Sequence, residues 1–223
     1  MKKVVRISYD IEPGMPVFTN NPANRVEAVD SFEKGATWNS YHITLFNHNG
    51  THIDAPKHFD CQGKVICDYK IGDFIYEKPC LVDLNKEAGE PVTVEDIKNA
   101  KVTCDLLMIR TGFWKKRKER DYIDDNPWLS PEAAGYIRSK FKKLKAIAVD
   151  TISIASFQHL ETGGKAHQIM LKKGKYPSDP VLIIEDVNLG LLPKDFERVF
   201  AVPLFIKEVD SMPCTVFVEA SSR

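Results

Sequence analysis

Four of the six histidines crowd between positions 42 and 58, in the stretch His42-Ile-Thr-Leu-Phe-Asn-His48-Asn-Gly-Thr-His52-Ile-Asp54-Ala-Pro-Lys-His58. His48 and His52 are four apart, which on a helix would set both rings on one face. Asn47, Asn49, Gly50, Thr51 and Pro56 make a poor helix, however, and no glutamate follows His48, so the zincin pattern fails. A straight strand fails too, because at roughly 3.3 Å per residue it would hold the two Cα atoms about 13 Å apart. Two imidazoles each about 2.1 Å from one tetrahedral ion need nearer backbones than that. The chain must therefore bend between them, and Asn49-Gly50 turns most readily, since both residues tolerate positive φ. Asp54, two residues beyond His52, projects from the same face of an extended stretch. His48, His52 and Asp54 thus read as ligands of a metal ion. Three protein ligands leave coordination open, as a catalytic site requires and a structural one does not. His58, just past the rigid Pro56, is placed to carry a proton beside the ion.

The rest of the chain supplies a scaffold for this bend. A strand is expected at Val4 to Ser8. Residues 9–36 carry Pro13, Gly14, Pro16 and Pro22 with little apolar periodicity, and read as a long ordered arm. Trp38 to Phe46 alternates as a strand, and Pro79 to Leu84 follows as another. Thr93 caps a short helix ending near Ala100, before the apolar strand Cys104 to Arg110. Ser130, with Pro131 at the first helical position, caps a helix to about Lys143, before the strand Ala146 to Asp150. Two such crossovers imply a parallel sheet segment. Val181 to Ile184, Phe200 to Ile206 and Cys214 to Glu219 complete the strands, with a short helix near Ala166 to Lys172. The pattern is α/β, in one domain over residues 1–223.

Composition removes several function classes. At 223 residues with 43% hydrophobic and 28% charged side chains, the chain can bury a sizeable core. Thirty-one Lys and Arg balance thirty-one Asp and Glu, so no broad basic face for nucleic acid or anionic membrane is expected. The run Lys115 to Lys118 reads as a solvated face, as do Asp68, Asp73 and the acids at Asp121, Asp124 and Asp125. His42 and His159 read as ordinary surface or core histidines. Arg6 and Asp10 interrupt the N-terminal apolar stretch too soon for a signal peptide, and no apolar window is long enough for a transmembrane helix. Five cysteines without a C-x-x-C pair read as reduced, buried thiols of a cytoplasmic protein. Trp38, Phe46 and Phe59 flank the histidine motif and are available to stack on an aromatic substrate.

The segment His48-Asn-Gly50-Thr51-His52-Ile-Asp54-Ala-Pro56-Lys-His58 resembles the H-x-G-T-H-x-D-x-P-x-H signature of the cyclase family of metal-dependent hydrolases, and every fixed position matches. That family includes bacterial arylformamidases (kynurenine formamidases) and isatin hydrolases. Tyr9-Asp10-Ile-Glu-Pro13-Gly14-Met15-Pro16 is similar to the family's N-terminal segment, and Asp150 closes a strand as a family aspartate does. The resemblance implies a mixed, swivelling β/β/α domain with one or two divalent metal ions, zinc first and manganese second. It puts the first ion on His48, His52 and Asp54, shares Asp54 with a second ion, and makes His58 the catalytic histidine. Ala166-His167-Gln-Ile-Met-Leu171 and Val181-Leu-Ile-Ile-Glu185 match the later histidine and glutamate, with a longer segment, 172–180, between them than the formamidases carry. An acid ending an apolar run is costly to bury unless paired or bound to a cation, so Glu185 and His167 are expected near the His48, His52, Asp54 cluster.

The resemblance further implies a homodimer or homotetramer whose N-terminal arm reaches a neighbouring site. Its leading reaction is N-formylkynurenine to kynurenine and formate, a step of tryptophan catabolism. An isatin-type lactam hydrolase and another amide or ester hydrolase are the alternatives. A metal-binding protein without turnover is the rival of another class, and His58 argues against it, because binding alone needs no extra base.

Overall fold

Runs such as Leu106 to Ile109 and Ala146 to Val149 have no polar face, so they form strands covered on both sides. In the computed structural model, which describes residues 3–174 and 176–221, the chain begins with β1 (Lys3–Arg6) and, after a loop, a separate hairpin of β2 (Arg25–Asp30) and β3 (Ser40–Thr44). The histidine motif follows as β4 (His52–Asp54), then β5 (Ile75–Tyr76) and β6 (Pro79–Asp83). One crossover runs through β7 (Pro91–Val92) and α1 (Val94–Ile97) to β8 (Leu106–Arg110). The next runs through α2 (Arg120–Asp124), β9 (Trp128–Leu129) and α3 (Pro131–Lys140) to β10 (Ala146–Val149). Helix α4 (Leu160–Leu171) leads into β11 (Leu182–Glu185), and the antiparallel pair β12 (Phe196–Pro203) and β13 (Ser211–Ala220) ends the described chain.

The main sheet has nine strands in the order β5-β12-β13-β4-β11-β10-β8-β6, with β1 added against β13. Strands β6, β8, β10 and β11 are parallel, as the two crossovers required. The three-residue β4 is antiparallel to β11 on one side and to β13 on the other. It is thus the seam between the parallel and antiparallel halves, and its backbone is fixed from both edges.

Alternation along the strands then builds two cores. Leu107, Ile109, Ile147, Val149 and Ile183 pack with Ala133, Ile137, Ala166 and Met170 of α3 and α4. Leu106, Met108, Ala148, Ile184 and Ile53 join Val199, Ala201 and Val216 in the other. Ser130 caps α3 by accepting from the Ala133 N–H, with Pro131 at the first position as expected. Truncating a side chain such as Leu107, which is fully buried, costs about 2–5 kcal/mol.

Three expectations need correction. The second half of the arm is not loop: Arg25-Val-Glu-Ala-Val-Asp30 carries no proline and pairs antiparallel with β3, while the prolines stay in the preceding loop. The strand expected at Trp38 to Phe46 shortens to Ser40–Thr44. The helix expected near Ala166 begins six residues earlier, at Leu160, and takes in Gly163 and Gly164. Among the described residues no helix is long and apolar enough to cross a membrane.

Candidate active site

The bend between His48 and His52 rests on Gly50, whose φ of +71° is open to glycine, and a Cβ there would lie 2.7 Å from Cε of Met15. Past the bend, β4 sends Ile53 into the core and turns His52 and Asp54 to the opposite face. Glu185 is the register partner of His52 across the β4–β11 pair, so its side chain shares that face. The resulting contacts converge. His48 Nδ1 is 3.0 Å from Asp54 Oδ1, and His52 Nε2 is 3.5 Å from the same oxygen and 3.3 Å from Glu185 Oε2. His167 Nε2 lies 3.3 Å from Glu185 Oε1.

The opposite nitrogen of each ring is held by an acceptor, which sets the tautomer. His52 Nδ1 donates to the Gly50 carbonyl at 2.8 Å and His167 Nδ1 to the Gly163 carbonyl at 3.0 Å. Ser153 Oγ and the Ile154 N–H donate to Glu185 Oε1 at 2.9 and 2.7 Å, leaving Oε2 for the cluster. Ligand atoms of His52, Asp54 and Glu185 lie within 4.8 Å of one another, and so do those of His48, Asp54 and His58. The two groups overlap at Asp54. His48, His52, Asp54, His58, His167 and Glu185 are therefore brought together, although sequence reasoning set His58 apart from the ligands.

Buried, unsatisfied polar atoms at this point ask for a cation. His52 Nε2 and both Asp54 oxygens are buried without a hydrogen-bond partner, an arrangement costly unless an ion occupies it. Burial works against the charged form of every group here, and the neighbours override it. Asp54 and Asp210 raise His48 to about 10, and Asp54 with Glu185 raises His52. The histidines in turn hold Asp54 well below the carboxylate range, and His167 with His52 lowers Glu185 to about 2. A nitrogen and carboxylate donor set of this kind fits a divalent metal ion.

A cavity of about 280 Å³ opens beside these donors, walled by Phe18, Phe46, Phe59, Ile152 and Leu160 together with His48, His58, His167 and Glu185. Its size approaches the lower end of the roughly 300–1,000 Å³ typical of small-molecule sites, and no Lys or Arg among the described residues lines it. A larger cavity of about 550 Å³, bordered by Lys64, Lys142, Lys143 and Lys145, includes none of the clustered donors.

His58 donates from Nδ1 to Asp210 Oδ2 at 2.8 Å, and its ring centroid is 4.2 Å from that of His48. Asp210 went unnoticed in the sequence, where it is one acid before an apolar strand. Its place immediately ahead of Ser211, the register partner of Asp54, brings it here. The signal available was the one used for Glu185: an acid abutting a buried strand end.

Other residues fall outside the site. Trp38 does not line the cavity of its own chain; it is 59% exposed on the hairpin and donates from Nε1 to Asp30. Among the described residues of segment 172–180 none lines this cavity, because Arg138 ties the segment down through the Ser178 and Lys172 carbonyls. Arg117 is not part of a solvated face: it pairs with the buried Asp186 at 2.7 Å and lies over the Tyr9 ring. Asp186, at the turn after Glu185 with a φ of +51°, needs that counter-charge because it is buried. Asp150 accepts from Thr111 and Gly112 rather than from the cluster. His42 is exposed on β3, and His159 packs against Trp128.

Comparisons with known proteins place the chain among relatives in sequence and in fold. The Cyclase family profile matches residues 5–156. The chain is 26% identical over 221 residues to a kynurenine formamidase of Geobacillus thermodenitrificans (strain NG80-2), covering 96% of this chain and 95% of that protein. It is 29% identical over 186 residues to a kynurenine formamidase of Bacillus mycoides (strain KBAB4), covering 82% of this chain and 81% of that one. The fold matches isatin hydrolase A from Labrenzia aggregata, bound to benzyl benzoate, with a TM-score of 0.82 at 21% identity, over 99% of this chain and 94% of that one.

Proposed function

The chain belongs to the cyclase family of hydrolases, and we propose that it is a metal-dependent member opening the C–N bond of a small aromatic amide. N-formylkynurenine to kynurenine and formate is the leading case. The observation that carries this reading is the convergence of His48, His52, Asp54 and Glu185, three of their atoms unsatisfied, beside an aromatic cavity whose wall includes His48, His58 and Glu185.

These residues would hold a divalent cation, zinc or manganese, which would supply Lewis acidity toward a carbonyl and a water molecule. The chain's own groups do the rest. Phe18, Phe46 and Phe59 offer faces for an aromatic ring and keep bulk water from it. Asp210 occupies Nδ1 of His58, so Nε2 is the nitrogen that exchanges a proton. Nε2 takes a proton from the attacking water and returns it to the leaving nitrogen, a role worth about 10²- to 10⁴-fold in rate. Glu185, fixed by Ser153 and Ile154, holds its free oxygen toward His52 throughout.

A second reading, an isatin-type lactam as substrate, is favoured because none of the described residues in the cavity wall is a Lys or Arg, and N-formylkynurenine carries a carboxylate that a cationic side chain would pair. Initial rates on N-formylkynurenine, isatin and neutral aryl formamides and esters, with zinc and then manganese restored to the metal-free protein, rank these substrates. Absence of turnover on all of them, with metal bound, would leave a metal-binding protein.

A homo-oligomer belongs to the same reading. The β2–β3 hairpin exposes Val26, Val29, Phe32, Tyr41 and Ile43, and an isolated two-stranded ribbon is marginally stable alone. A second copy would cover it. Light scattering in solution tests this, and a monomer at micromolar concentration would exclude it.

A further inference from the structure

Cys80 and Cys104 are 24 residues apart in sequence, yet their sulfurs lie 2.9 Å from one another. Cys80 stands on β6, the last strand at the parallel end of the sheet, and Cys104 lies just before the neighbouring β8. Cys104 is buried and Cys80 only partly so, which leaves one sulfur reachable from the sheet edge and its partner sheltered behind it. The separation exceeds a disulfide bond of about 2.05 Å by less than 1 Å.

We propose that Cys80 and Cys104 form a dithiol that a hydroperoxide oxidises to a disulfide, a modification site independent of the hydrolytic centre.

The two thiols are unequal in the way this chemistry needs. The hydrogen bond shared with Cys104 holds the Cys80 thiol below its ordinary range, Lys101 adding to it through its backbone and its charge while partial burial and Asp105 oppose it. The same hydrogen bond, with burial, raises Cys104. Cys80 is therefore the attacking thiolate and Cys104 the resolving thiol, the pairing that marks oxidisable cysteines. The Cys80 thiolate attacks a peroxide oxygen, the O–O bond breaks, and the departing hydroxide takes a proton to leave as water, giving a sulfenic acid. Cys104 then attacks that sulfur, the S–O bond breaks, and the hydroxide leaves with the Cys104 proton as a second water. The two thiols lose two electrons in all, and one peroxide is reduced.

The test uses the full chain, reduced, then treated with a small excess of hydrogen peroxide, quenched and alkylated in denaturant. The expected product is lighter by about 2 Da before alkylation, takes two fewer alkyl groups than the five cysteines of the reduced chain, and yields a peptide linking Cys80 to Cys104. Dithiothreitol restores the original mass. The bond encloses the crossover through α1, so the oxidised form is expected to melt about 5–10 °C higher. Cys61 and Cys67 are exposed and compete for the oxidant, so the double variant C61S/C67S should keep the mass loss and C80S should lose it. Oxygen added at Cys61 or Cys67 while Cys80 and Cys104 still alkylate, or a mass loss that survives in C80S, would overturn the proposal.

Discussion

Oδ2 of Asp210 accepts from Nδ1 of His58 at 2.8 Å across 152 positions of sequence, and lies 3.2 Å from Nε2 of His48. One oxygen thus reaches both the ring proposed to move the proton and a ring proposed to hold the cation. A carboxylate behind a histidine fixes its tautomer and raises its basicity, and its loss costs about 10- to 100-fold in activity or metal affinity. Asp210→Asn is expected to lower kcat by that factor with little change in KM. Steady-state kinetics on metal-loaded protein check it, and an unchanged kcat would remove Asp210 from the mechanism.

His52→Ala and His58→Ala are expected to fail differently. Removing His52 takes out a buried donor whose Nε2 has no hydrogen-bond partner, so the dialysed variant should retain less than a tenth of the metal. His58→Ala should retain its metal and lose about 10²- to 10⁴-fold in kcat. Elemental analysis of both variants separates the roles. Parallel loss of metal in His58→Ala would make His58 a ligand in the group it forms with His48 and Asp54.

What the sequence disclosed divides along physical lines. His48, Gly50, His52, Asp54 and His58 lie within eleven positions, where chain geometry alone decides which side chains can meet. The capping of α3 by Ser130 and the parallel run of β6, β8 and β10 were legible for the same reason, since caps and periodicity are local. Asp210 and the Arg117–Asp186 pair were not, because each depends on a register between segments far apart in the chain. Glu185 was placed through resemblance and through the cost of burying an acid, and the β4–β11 register supplies the geometry. Gly163, inside α4, is used for contact with Ala155, which nothing local in the sequence announces.

That contact gives a paired test within one helix. A Cβ on Gly163 would lie 2.3 Å from Cβ of Ala155, whereas a Cβ on Gly164 meets nothing within 4 Å. Gly163→Ala must push α4 off the Ala155 loop, at about 1–3 kcal/mol, and disturb His167, which hangs from the Gly163 carbonyl. Gly164→Ala is expected to be neutral, or to stabilise by up to about 1 kcal/mol through helix propensity. Denaturant melts of both variants measure the difference. Equal stabilities would show that α4 is free to shift.

Protons and the cation compete for the same rings, and the direction of the shifts sets the pH dependence of metal uptake. Asp54 and Asp210 raise His48 to about 10 despite its burial, so in the metal-free protein this ring is protonated throughout the range from pH 6 to 8. His52 is raised as well, by Asp54 and Glu185 against its own burial. Ligation has to expel the proton from each ring that binds. Each unit of acidification then strengthens the competitor tenfold per expelled proton, so affinity falls as pH falls. The expected slope is at least about a tenfold loss of apparent metal affinity per pH unit between 8 and 6. A histidine with an ordinary pKa near 6.5 would instead leave the affinity nearly flat between pH 7 and 8. Chelator competition with zinc in non-coordinating buffers distinguishes the two, and calorimetry in buffers of different ionisation enthalpy counts the protons released. Flat affinity from pH 7 to 8, with no proton released, would mean that His48 is already neutral before the cation arrives, and that the carboxylates around it do not hold its proton.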